Sequence, residues 1–147
     1  MKKLIGMLLL GATLLLADGI HWEADYKAAV KKAGTENKPI FFVFSSHDCK
    51  WCRRLEDTTF SDPQVIKTLN DDFINVIAYT DAGDYVPRGL WVPGTPALWF
   101  LDANGEAMFQ PIQGAVGAQE FLKATTIVRQ EYEKLQLQQT YGNRKRQ

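Results

Sequence analysis

The run Pro39-Ile40-Phe41-Phe42-Val43-Phe44 constrains this chain most, because it passes through Ser45-Ser46-His47-Asp48 straight into Cys49-Lys50-Trp51-Cys52. Aromatic and β-branched residues in unbroken succession, with no polar alternation, mark a strand buried on both faces, and such a strand lies inside a sheet. Arg53-Arg54-Leu55-Glu56 follow, with good helix propensity. The cysteine pair is therefore expected where a central strand turns into a helix.

Around that centre the remaining elements can be read in order. Trp22, Tyr26, Ala29, Val30 and Ala33 recur at three- and four-residue steps, which predicts an amphipathic helix from His21 to Ala33 closed by Gly34. Ser61-Asp62-Pro63 supplies a cap before a proline at an early helical position, opening a helix through Val65, Ile66 and Leu69. Phe73 to Tyr79 reads as a second core strand. Thr80 to Thr95 holds Gly83, Pro87, Gly89, Pro93 and Gly94 and reads as an irregular loop with room for one helical turn. Ala97 to Leu101 is a strand, Asp102-Ala103-Asn104-Gly105 a hairpin turn, and Glu106 to Ile112 the returning partner. A last helix from Gly117 to Leu137 turns Phe121, Leu122, Ile127, Val128, Tyr132 and Leu135 inward. This order implies an α/β fold, one mixed central β-sheet with helices on both faces.

The chain of 147 residues has room for one core. Residues 1–17 read as a secretory signal peptide, with Lys2 and Lys3 ahead of the apolar run from Leu4 to Leu16. The uncharged stretch is shorter than the roughly 20 residues a bilayer-spanning helix needs, so cleavage is preferred over a retained membrane anchor. Residues 18–139 form the expected domain, and 140–147 a basic flexible tail carrying Arg144, Lys145 and Arg146. Lys plus Arg and Asp plus Glu each number 17, so no global field recruits nucleic acid.

Cys49 and Cys52 are the only cysteines. A disulfide between them closes too short a loop to constrain the unfolded chain much, so redox chemistry explains the pair better than stability does. At a helix N-terminus Cys49 meets unpaired N–H groups and the positive end of the helix dipole, which favour its thiolate. Cys49 is the expected nucleophile and Cys52 the resolving thiol. Lys50 and Arg53 are expected to lower the Cys49 pKa, with Arg54, and Asp48 to oppose them. Trp51 is a candidate partner contact, and His47 is read as a solvated loop residue with proton transfer as the lesser alternative. Zinc would need four ligands, and beyond the cysteines only His21 and His47 are of the right type, so no metal is expected. A non-catalytic module gripping peptides through Trp51, Tyr85 and Trp91 is the competing class, with packing beneath the long loop as the plainer role for these aromatics.

The order strand, CxxC, helix, strand, then Gly94-Thr95-Pro96 before another strand resembles the thioredoxin superfamily over nearly the whole expected domain. Within it, Cys49-Lys50-Trp51-Cys52-Arg53-Arg54-Leu55-Glu56 leading to Thr58-Thr59-Phe60-Ser61-Asp62-Pro63 is similar to the C-terminal thioredoxin-like domain of DsbD. The resemblance implies a thioredoxin-like fold and a periplasmic thiol–disulfide oxidoreductase, reducing rather than oxidising or isomerising. It also implies a cis bond before Pro96, with Thr95 and Pro96 beside the cysteines to hold an extended partner peptide. Its partners would be protein disulfide substrates and a membrane or periplasmic thiol electron donor, its form a monomer, and its only redox group the Cys49–Cys52 disulfide, with no separate cofactor. Three positions depart from the pattern. Val43 stands where these proteins carry a buried acid, Asp48 replaces a tryptophan, and Lys50-Trp51 replaces Gly-Pro. Water, Glu56 or another group must then manage the resolving thiol's proton.

Overall fold

The computed structural model describes residues 19–146. The expected signal segment lies outside the described residues. The elements are α1 (Tyr26–Glu36), β1 (Ile40–Ser45), α2 (Lys50–Thr58), α3 (Pro63–Asp72), β2 (Ile74–Tyr79), two 3-10 turns (Thr80–Ala82 and Arg88–Leu90), β3 (Ala97–Leu101), β4 (Ile112–Gln113) and α4 (Ala118–Arg144).

All six residues of β1 are buried, as the unbroken apolar run requires. β1 pairs parallel with β2 and antiparallel with β3, and β4 completes a mixed sheet of order β2-β1-β3-β4. Because strand side chains alternate, β1 divides its residues between two cores. Phe41 and Val43 join Leu55 of α2, Val65 and Leu69 of α3, and Phe121 and Val128 of α4. Ile40, Phe42 and Phe44 join Ala29 and Ala33 of α1 and Leu90 of the long loop. Helices thus lie on both faces.

Local chemistry sets the helix starts. Asp25 caps α1 by accepting from the Ala28 N–H at 2.8 Å. Asp62 caps α3 by accepting from Gln64 and Val65, and Pro63 follows at the first turn. In the turn after β3, Gly105 has φ +87°, and the Tyr26 hydroxyl sits where a side chain would project while donating to the Gly105 carbonyl at 3.1 Å.

Four expectations are corrected. α1 starts at Tyr26, not His21, because Trp22 bridges Asn75 at the sheet edge; it runs past Gly34 to an Asn37 cap at φ 51°. Residues 106–111 pair only through the Leu101–Ala107 bridge, leaving a two-residue β4. In α4 the buried stripe is Phe121, Thr125, Val128 and Tyr132, whereas Ile127 and Leu135 are exposed. Thr125 tolerates burial because its hydroxyl donates to the Leu122 carbonyl at 2.8 Å. Finally, α4 ends at Arg144 rather than at Leu137, and the Arg144 guanidinium lies over the Tyr141 ring.

Candidate active site

Cys49 is the N-cap of α2, and its sulfur occupies the place a serine or aspartate oxygen usually takes: it accepts the Cys52 N–H at 3.1 Å. The two cysteines form a disulfide, with Cα atoms 5.2 Å apart. Cys52 is 1% exposed while Cys49 is only partly buried, so a reagent approaching from solvent meets the Cys49 sulfur. That sulfur also lies 3.4 Å from the Thr95 carbonyl oxygen, and the Thr95–Pro96 bond is cis. Cys49 and Thr95, 46 positions apart, therefore meet at one sulfur.

The other expected site residues are placed as follows. Trp51 is 54% exposed beside the disulfide, with the Arg54 guanidinium 5.8 Å from its ring centroid. Arg53 is turned toward the backbone and donates to the His47 carbonyl at 2.7 Å. Lys50 and Asp48 are exposed. Val43 is buried among Phe41, Leu55 and their neighbours, and among the described residues no Asp or Glu is buried. Glu56, one helical turn beyond Cys52, accepts from the Tyr79 hydroxyl at 3.3 Å. Burial and the Glu56 carboxylate push the Tyr79 phenol up to about 12.

His47 is exposed, yet it is not simply solvated. Its ring stacks on Tyr79 at 3.9 Å, its N–H donates to Asp81 Oδ1 at 3.0 Å, and its Nδ1 lies 3.0 Å from Asp81 Oδ2. Sequence reasoning placed neither Tyr79 nor Asp81 in the site. Their signal lay in the parallel register: Ser45 pairs with Tyr79, so His47 and Asp81 each stand two residues beyond a matched strand end.

Tyr85 and Trp91 are 69% and 61% exposed, although Trp91 sets its ring edge against Phe44 and Tyr85 approaches Tyr26. A concavity of about 830 Å³ is lined by Tyr26, Val30, Lys31 and Tyr85 among others and shares no residue with the disulfide. Among the described residues no three His, Cys, Asp or Glu side chains converge as metal ligands.

Residues 26–128 match the model of the thioredoxin-like domain. The chain belongs to that family. This thioredoxin-like protein is 38% identical to the thiol:disulfide interchange protein DsbD of Citrobacter koseri over 98 residues, covering 65% of the chain and 16% of DsbD. It spans less than a fifth of the length of the curated relatives it matches. A solution structure of a thioredoxin from Thermus thermophilus superimposes with a TM-score of 0.64 at 27% identity, covering 76% of this chain and 88% of that one. The reduced DsbD C-terminal domain of Neisseria meningitidis shares the fold, with a TM-score of 0.54 at 21% identity over 68% of this chain and 90% of that one.

Proposed function

We propose that this thioredoxin-like protein is a periplasmic dithiol–disulfide exchange enzyme that reduces disulfides in partner proteins. The observation that carries the reading is the unequal exposure of two cysteines at one helix N-terminus, the outer sulfur already hydrogen-bonded to the Cys52 N–H.

In the reduced enzyme the Cys49 thiolate attacks one sulfur of the partner disulfide. The partner's other sulfur leaves as a thiolate, and a mixed disulfide joins the two proteins. Cys52 gives up its proton to water and attacks the Cys49 sulfur, releasing the partner's remaining sulfur as a second thiolate. Two electrons pass from the enzyme dithiol to the partner, the enzyme finishes as the Cys49–Cys52 disulfide, and a dithiol donor in the membrane or periplasm reduces it again. Thr95 and the segment leading into Pro96 offer backbone groups to an extended partner strand beside Cys49, and Trp51 covers its flank. The Cys49–Cys52 pair serves as the only redox group, and no metal takes part.

The charged neighbours Lys50 and Arg53 favour the Cys49 thiolate and Asp48 opposes it. The reducing direction is supported by the similarity to the thiol:disulfide interchange protein DsbD. Export rests on Lys2, Lys3 and the apolar run behind them. Among the described residues no helix is long and apolar enough to cross a membrane.

The test is reduction of a protein disulfide by the pre-reduced full chain. Cys49→Ser should abolish turnover, and Cys52→Ser should accumulate the mixed disulfide as a covalent complex separable on a non-reducing gel. Undiminished turnover in Cys49→Ser would remove the assignment. The direction is read from the reduction potential: a value near thioredoxin's, about −270 mV, marks a reductant, and one near DsbA's, about −120 mV, marks an oxidant.

A further inference from the structure

The segment between β1 and the reactive sulfur is three residues long, and its middle residue is held on four sides. The His47 N–H donates to Asp81 Oδ1, and its Nδ1 lies against Asp81 Oδ2, both at 3.0 Å. The imidazole face rests on Tyr79, 3.9 Å between centroids and 14° from parallel. The His47 carbonyl accepts from Arg53 Nη1 at 2.7 Å. The chain then turns, with the Cys49 N–H donating to the Ser46 carbonyl at 3.2 Å, and Cys49 meets the Cys52 N–H. The anchors of His47 lie on α2, at the end of β2 and in the 3-10 turn after it.

We propose that Asp81, acting through His47, is a positioning residue that keeps the reduced Cys49 sulfur in its hydrogen bond with the Cys52 N–H, and so sustains its nucleophilicity. The proposal rests on the reading of Cys49 as the attacking thiol. Asp81 touches neither sulfur in this arrangement; its grip on His47 fixes the direction in which the chain enters α2. Without that grip the turn samples other conformations, and in those the sulfur is off the helix terminus that stabilises its thiolate. The His47 N–H bond also holds the Asp81 carboxyl below its ordinary value of 3.8, with the imidazole contributing, so the carboxylate is the form that the turn selects.

The sign of the effect separates positioning from bare electrostatics. A carboxylate near a thiol disfavours the thiolate, so if Asp81 acted through its charge alone, deleting it would make Cys49 more reactive. Positioning requires the opposite.

The experiment is the rate of iodoacetamide alkylation of Cys49 in the full chain carrying Cys52→Ser, measured at neutral pH and through the ordinary thiol range of about 8.5. Asp81→Ala should slow alkylation at neutral pH by about tenfold, as expected for loss of a hydrogen-bonded anchor. Asp81→Asn keeps an oxygen for the His47 N–H and should stay within about twofold of the parent. Alkylation of Asp81→Ala that is unchanged or faster, or an Asn variant as slow as the Ala variant, overturns the proposal. A lowered melting temperature with unchanged alkylation overturns it as well. Should Asp81→Ala fail to fold, His47→Ala decides: it removes the ring contacts, should slow alkylation by about threefold, and at the parent rate refutes the idea. Because alkylation needs no partner, a chain that reduces no protein disulfide yet shows this order of rates loses the proposed function and keeps the positioning role.

Discussion

The two faces of the sheet are covered by different means. On one, α2, α3 and α4 enclose Phe41, Phe60, Phe100 and Phe121, whose rings meet one another at centroid distances between 5.2 and 6.2 Å. On the other, α1 covers only part, and the loop between β2 and β3 finishes the work by inserting Leu90 and leaning Val86 and Val92 against the core. Regular elements satisfy their own backbone groups, so the first face is closed by side chains that can all point inward. A loop with proline and glycine cannot turn every side chain in, and Trp91 and Tyr85 stay more than half exposed. The rigid face carries the reactive sulfur on α2. The loop face carries exposed aromatics and, at its end, Thr95.

This contrast makes predictions of decreasing size. Truncating the centre of the helical face, Phe41→Ala, should cost about 3–5 kcal/mol of unfolding free energy in urea, because rigid neighbours cannot fill the gap. Leu90→Ala, in the loop that can settle inward, should fall near the low end for such a truncation, about 2 kcal/mol. Equal losses at the two sites would break the comparison. Trp91→Ala removes an exposed ring; an aromatic contact between such a ring and a partner is worth about 1 kcal/mol, so the variant should leave kcat unchanged and raise KM for a protein disulfide by about fivefold. An unchanged KM would assign the loop to cover alone.

An effect confined to alkaline pH belongs to the open end of the helical face, where Tyr79 meets Glu56. The fold raises the Tyr79 phenol to about 12 from 10.0, so it favours the protonated form. That contribution is complete below pH 10.0 and is lost as pH rises toward 12. Alkaline unfolding of the parent should therefore be steeper over this interval than that of Tyr79→Phe, and phenolate absorbance should show the variant lacking the highest-titrating tyrosine. Identical alkaline profiles would show that this end of the face is as wet as the loop side.

Much of the architecture was legible because it is dictated locally. The unbroken run before the cysteines called for a strand buried on both sides, Asp62-Pro63 announced α3, and the cysteine spacing put one sulfur at a helix start with the other a turn inward. Periodicity misled where a polar group could be satisfied inside: Thr125 is buried through its bond to Leu122, and Ile127 faces out. It misled again at Trp22, whose spacing suits a helix although the residue bridges Asn75 and packs against Phe41 and Phe60.

The sequence by itself determined the elements around the disulfide, since strand burial, helix capping and the Cys49–Cys52 separation are matters of neighbouring residues. Only the tertiary structure decided what surrounds the sulfur. Thr95 reaches it from 46 positions away, and Asp81 reaches His47 from 34. Such meetings depend on the register of β1 against β2 and on the crossing back through β3. Register is set by the sum of many side-chain contacts across the sheet, so no single motif carries it.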